Sequence, residues 1–84
     1  MDLIKIFEIY KISDLMSLIE TRIKQENIVN CLLADCSIAR IKKKSNENYI
    51  VEVNSIIYQE IEQGTLKHIS TYLLEVNECL EYGL

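Results

Sequence analysis

Residues 37–54 constrain the fold of this chain more than any other segment, because one antiparallel register satisfies their apolar and charged side chains together. Placing Ile41 opposite Val51 brings small and β-branched side chains onto one side of a two-stranded ribbon. The same register sets Arg40 opposite Glu52 on the other side, where opposite charges attract across the strands. We therefore predict a β-hairpin over residues 37–54, with a five-residue polar loop between its strands.

A helical interpretation of the same segment remains open. Lys42, Lys43 and Lys44 would then lie at the C-terminus of one helix, where cations are favourable, and Ser45 would begin the next. In this interpretation apolar side chains recur every three or four residues rather than at alternate positions. The positions with helical spacing are Ile50, Val53, Ile57 and Ile61.

Residues 2–34 show apolar spacing typical of three short helices. Asp2 and Ser13 are candidate N-caps of the first two helices, and the second helix is expected to end near Glu20. A strand remains an alternative for the first segment, because its isoleucines also alternate. The apolar positions of the three helices are, in order, Leu3, Ile6, Phe7 and Tyr10; Ile12, Leu15, Met16 and Ile19; and Ile28, Val29, Leu32 and Leu33.

Residues 55–82 carry the longest helical pattern of the chain. Gly64 interrupts this pattern and Thr65 is a candidate N-cap behind it, so the segment is either one kinked helix or two helices in tandem, ending before Gly83. Its apolar surface is wider than one neighbouring element can cover, which predicts a homodimer interface. The predicted interface residues are Ile57, Ile61, Ile69, Leu73, Val76 and Leu80.

Composition predicts a single small domain with a marked separation of charge. The chain has 84 residues, one Phe and no Trp, so its core must come from Ile, Leu and Val, and a partner subunit would add stability. Residues 21–44 hold six cationic and two anionic side chains, a formal charge of +4, whereas the remaining residues total −8. This separation predicts a positive surface that a polyanion can use.

The sequence lacks the residue patterns from which catalytic and metal sites are built. The cysteines Cys31, Cys36 and Cys79 have no Cys-x-x-Cys spacing, and His68 is the single histidine. We expect no metal, no cofactor and no enzyme activity, with the cysteines as small buried hydrophobes in a reducing cytoplasm. Because no apolar run reaches the roughly 18 residues that cross a bilayer, and the N-terminus does not suit a signal peptide, we expect a cytoplasmic protein without membrane contact.

Three helices, a basic hairpin and a long C-terminal helix, in this order, resemble the winged helix-turn-helix domain of small dimeric transcription regulators. The resemblance covers residues 12–53. In that family, a helix that opens like residues 12–16, Ile-Ser-Asp-Leu-Met, packs behind the recognition helix. Residues 32–40 resemble the segment that connects the end of the recognition helix to the first strand of the wing. Cys36 or Ser37 stands where the family usually has glycine.

The resemblance implies an α+β fold, mainly α, with an all-α helical bundle as the alternative. Residues 2–34 would form the three-helix core, residues 37–54 the β-hairpin wing and residues 55–82 the dimerisation helix. It also implies a homodimeric, sequence-specific regulator that binds double-stranded DNA through the third helix and the wing. The residues expected to contact DNA are Arg22, Lys24, Gln25, Asn27, Asn30, Arg40, Lys42, Lys43 and Lys44.

A second functional hypothesis comes from the acidic remainder of the chain. Exposed glutamates on helices would then capture a protein partner without any DNA, as in a small phage- or plasmid-type inhibitor. Glu60, Glu62, Glu75, Glu78 and Glu81 would carry this function.

Overall fold

Both helices pack on the same face of a five-stranded sheet in the computed structural model, which describes residues 3–83. Along the chain the elements are β1 (Ile4–Lys5), a 3-10 turn (Ile6–Glu8), α1 (Ile12–Glu26), β2 (Ile28–Leu32), β3 (Ile38–Ser45), β4 (Asn48–Asn54), β5 (Gln59–Gly64) and α2 (Leu66–Tyr82). The strands are ordered β1-β2-β3-β4-β5 in the sheet, with β1 parallel to β2 and all other neighbours antiparallel.

The core lies between the helices and the inner face of the sheet. Alternate residues of β2, β3 and β4 are buried, as expected for an antiparallel sheet with one covered face. The helices supply residues at i, i+4 and i+7 or i+8 spacing, which place a single stripe against the sheet. The principal core residues are Leu15, Ile19 and Ile23 of α1, Ile69, Leu73 and Val76 of α2, and Val29, Cys31, Ala39, Ile41, Val51 and Val53 of the sheet.

The register predicted between β3 and β4 is confirmed: Ile41 pairs with Val51 and Arg40 with Glu52. These strands are not a two-stranded wing, however, because β2 and β5 flank them on either side. They also extend further than predicted, since Ser45 pairs with Asn48 and leaves a two-residue turn in place of a five-residue loop. Strands β3 and β4 thus lie inside the five-stranded sheet rather than projecting from a helical core.

The predicted mainly α, winged-helix fold is wrong, and so is the all-α alternative. The third helix is expected to begin after Thr21, but residues up to Glu26 belong to α1, and residues 28–32 form β2, in which Val29 and Cys31 are buried at alternate positions. Asn27 ends α1 with a φ of 64°, which turns the chain away from the helix before this segment begins. The apolar spacing of this segment suits a helix or a strand, and burial of the β-branched Val29 against the helices favours the strand.

The first two predicted helices also differ from the structure. Within the described residues the first segment is a short strand followed by a 3-10 turn, because Ile4 pairs with Cys31 at the edge of the sheet. The second helix does not end near Glu20 but runs to Glu26, since the buried stripe continues through Ile23. Lys11 rather than Ser13 is its N-cap residue, and Asp2 lies outside the described residues.

The C-terminal segment is a strand followed by a helix, not one long helix. β5 pairs along its length with β4, and α2 begins behind it. The Thr65 side chain accepts a hydrogen bond from the backbone N–H of His68, which confirms the predicted cap. The helix ends at Gly83, which has a φ of 71°, as predicted for a C-terminal glycine.

Candidate functional site

The outer face of the sheet, which carries no helix, collects four of the nine residues predicted to bind DNA, namely Asn30, Arg40, Lys42 and Lys44. We call it the open face. Its side chains are the ones that alternate with the buried core residues of each strand. It comprises Lys5 of β1; Ile28, Asn30 and Leu32 of β2; Ile38, Arg40, Lys42 and Lys44 of β3; Asn48, Ile50, Glu52 and Asn54 of β4; and Gln59, Ile61 and Gln63 of β5.

Strand β3 supplies the positive charge at the centre of the open face. Arg40, Lys42 and Lys44 follow one another at alternate positions, so that all three point outward. Arg40 Nη2 donates a hydrogen bond of 3.1 Å to Oε2 of Glu52, which neutralises much of its charge. Lys5, the other cation of this face, lies 3.8 Å from a carboxylate oxygen of the adjacent 3-10 turn. Lys42 and Lys44 therefore provide the excess positive charge of this face.

Side-chain amides surround these cations. Gln59 Nε2 donates a 2.9 Å hydrogen bond to Oε1 of Glu52, and Lys44 Nζ donates to Oε1 of Gln63 at 3.4 Å. Asn30 lies directly opposite Arg40 on the neighbouring strand. Amide groups donate and accept hydrogen bonds, so this part of the face can contact phosphate oxygens as well as base edges.

The two sides of the molecule differ in charge. Among the strand residues of the open face that the structure describes, Glu52 is the single carboxylate. Glu60 and Glu62 alternate with the open-face residues of β5 and therefore point to the helix side. The helices carry most of the other carboxylates in residues 3–83, which are Asp14, Glu20 and Glu26 on α1 and Glu75, Glu78 and Glu81 on α2.

The other residues predicted to bind DNA lie on the helix side. Lys24, Asn27 and Lys43 line a cavity of about 730 Å³ between α1, the β3–β4 turn and the start of α2. Lys43 is exposed but lies on the helix side of the sheet, because it pairs with the buried Tyr49, whose ring centroid lies 5.9 Å from its ammonium. Arg22 and Gln25 also belong to α1. The predicted site is thus divided, and neither helix of the described residues presents these side chains together with Lys42 and Lys44.

The residues predicted to form a dimer interface are divided as well. Ile69, Leu73 and Val76 are buried within a single chain, against the sheet. Leu80 packs at the border of the same core. Ile57 and Ile61 do not belong to a helix, and they are 76% and 66% exposed, respectively.

The cysteines differ in their environments. Cys31 is buried, as predicted, and burial raises the pKa of its thiol from 9.0 to about 12. Cys36 and Cys79 are exposed, contrary to the prediction, because they lie in the β2–β3 turn and near the end of α2. Within residues 3–83, no group of three or more His, Cys, Asp or Glu side chains could hold a metal ion.

Neither helix in the described part of the chain is long and apolar enough to span a membrane.

The amides of β5 were missed by the prediction. The helix predicted over residues 55–82 includes Gln59 and Gln63, although they alternate with Glu60 and Glu62 in the sequence. Once β5 is recognised as a strand, this alternation places both glutamines on the side of Arg40 and Lys42. The period of two was thus the signal that could have identified them.

Comparison of the chain with protein-family models, with curated proteins and with solved structures finds no match.

Proposed function

We propose that this protein binds double-stranded nucleic acid, DNA in the first instance, through the open face of its sheet. The observation that carries the proposal is the position of Lys42 and Lys44 beside Arg40, on a face with a single carboxylate, in a chain of net charge −4. A polyanion is attracted to this face and repelled by the acidic helix side, so the charge distribution favours one orientation.

Duplex is favoured over single-stranded nucleic acid by the composition of the open face. Sheets that bind single strands stack bases on exposed aromatic side chains. The open-face strand positions in the described residues contain no aromatic side chain. A two-stranded ribbon fits the major groove of DNA, and β3 with β4 extends past the end of β2 by the residues beyond Lys42.

The number of available cations sets the expected affinity for nucleic acid and its dependence on salt. Lys42 and Lys44 would neutralise about two phosphates, which gives a slope of about −2 for the logarithm of the association constant against the logarithm of salt concentration. Binding is therefore weak and non-specific at physiological salt. Any preference among sequences would come from the amides around Arg40.

The test is fluorescence anisotropy with a labelled duplex over a salt series beginning at about 50 mM. The double variant Lys42→Ala, Lys44→Ala should reduce the salt slope by about 2. The matched control is Lys11→Ala, Lys67→Ala, which removes the same charge from exposed positions at the starts of the two helices. Absence of binding at low salt, or an equal loss in the control variant, would refute the proposal.

A further inference from the structure

Strand β5 forms an edge of the sheet that no other described strand covers. It pairs with β4 on one side and is the last strand in the sheet order. In an edge strand, alternate backbone N–H and C=O groups point outward and can pair with another strand. The side chains of Gln59, Glu60 and Ile61 are exposed, so β5 is accessible.

The two carboxylates of β5 lie on the same side of this edge. Glu60 and Glu62 both point to the helix side, and Ile61 between them points to the open face, where its side chain is 66% exposed. A strand that pairs with β5 meets negative charge at alternate positions and an apolar side chain between them. Lys or Arg at alternate positions, separated by an apolar residue, complements this pattern.

A groove next to β5 continues the negative surface. It has a volume of about 490 Å³, lies between β5 and α2, and is lined by Glu62 of the strand and Glu75 of the helix. His68 Nε2 lies 3.0 Å from Oε1 of Glu62 and fixes this carboxylate beside the groove. Tyr72 adds an aromatic side chain, which attracts cations, and Lys67 is the single lysine in the lining.

A second copy of the chain does not suit this edge. In an antiparallel pair of two β5 strands centred on Ile61, Glu60 of one copy lies opposite Glu62 of the other, and the like charges repel. Registers centred on Glu60 or Glu62 place identical carboxylates opposite each other. The same charges that prevent self-pairing favour a basic strand.

We propose that the edge of β5 binds an extended basic peptide of another protein, which adds a sixth strand to the sheet. The peptide carries Arg or Lys at alternate positions, and one of these side chains enters the groove between Glu62 and Glu75. Backbone pairing supplies affinity and the carboxylates select the basic residues. The charged contacts of the peptide lie on the helix side, and its apolar contact with Ile61 lies at the border of the open face, so that neither contact uses Lys42 or Lys44.

The probe for the test is the synthetic peptide Ser-Arg-Val-Arg-Val-Arg-Ser. In an extended peptide, alternate backbone N–H groups point to opposite edges of the strand. Two further versions of the peptide carry N-methyl groups on one or the other of these two sets of amides. Because a strand uses one set of amides for pairing, methylation of that set should weaken binding about tenfold or more, and methylation of the other set should not. Equal binding by both methylated peptides would show charge attraction without strand pairing and would refute the proposal.

Variants test the carboxylates. Glu62→Gln with Glu75→Gln should weaken peptide binding about tenfold, which corresponds to about 1.4 kcal/mol. The control Glu78→Gln with Glu81→Gln removes the same charge from α2 at positions outside the groove, and should change binding less than twofold. Equal losses in both variants would refute the groove as the binding site.

Amide hydrogen exchange locates the peptide on the chain. Amides of residues 59–64 should exchange more slowly when the peptide is bound, and those at the β1 edge should not change. Absence of peptide binding at about 1 mM would overturn the proposal, as would a dimer in sedimentation analysis whose formation protects residues 59–64.

Discussion

The backbone N–H of Ala34 donates a hydrogen bond of 2.9 Å to Oδ1 of Asn77. This contact joins the turn after β2 to α2, across 43 positions of the chain. Asn77 is 6% exposed, so its amide is largely removed from water, whereas Ala34 is half-buried. An amide side chain among core residues of α2 thus satisfies a backbone group of the turn that no strand or helix pairs.

Replacement of Asn77 by Ala should lower the free energy of unfolding by about 1–3 kcal/mol, because the Ala34 N–H would lose its partner. Urea unfolding followed by circular dichroism measures this change. The control is Asn54→Ala, at an exposed position of β4, which should change stability by less than about 0.5 kcal/mol. Equal effects of the two substitutions would show that the hydrogen bond contributes nothing measurable.

Thr65→Ala should cost about 1 kcal/mol of stability, because α2 would lose the side-chain acceptor that caps the His68 N–H at 3.1 Å. Thr65→Ser keeps the hydroxyl and should be nearly neutral. Chemical denaturation of both variants makes the comparison. A serine variant as unstable as the alanine variant would indicate that the threonine methyl group, rather than the cap, matters.

Cys36 has a φ of 69°, in the left-handed region that costs residues with a Cβ about 1–2 kcal/mol. Cys36→Gly should therefore stabilise the protein by about 1 kcal/mol, after the greater freedom of glycine in the unfolded chain is allowed for. Cys36→Ala retains the Cβ and should leave stability nearly unchanged. Thermal unfolding of the two variants measures the difference, and a less stable glycine variant would contradict the expected strain.

The buried thiol of Cys31 should make stability depend on alkaline pH. Burial raises its pKa from 9.0 to about 12, so the unfolded chain loses this proton at a lower pH than the folded chain. The resulting stabilisation is complete below pH 9.0 and decreases as the pH rises towards about 12. The difference in unfolding free energy between wild type and Cys31→Ala should therefore become smaller from pH 8 to pH 10.5.

Urea unfolding at both pH values tests this dependence on Cys31. The exposed Cys79 provides the control, because replacing it by Ala should leave the pH dependence of wild type intact. If the wild type and Cys31→Ala lost stability in parallel, the Cys31 thiol would not be the group responsible.

The part of the candidate site that depends on the register between β3 and β4 could be predicted from the sequence. Pairing Ile41 with Val51 places Arg40 and Lys42 on one side, as the structure confirms. That neither helix contributes to the open face could not be read from β3 and β4 alone. It depends on which face of the sheet the helices cover.

The sequence by itself determined the features that depend on neighbouring or directly paired residues. Thr65 caps the helix three residues before His68, Gly83 ends it, and Ile41 meets Val51 across a short turn. Tertiary structure alone decided the conformation of residues 28–32 and 59–64, which form strands on opposite sides of β3 and β4. Their apolar spacing suits a helix as well as a strand, and the choice depends on backbone pairing and burial between segments distant in the chain. The apolar stripe of α2, whose spacing alone predicts a dimer interface, packs against the sheet of its own chain.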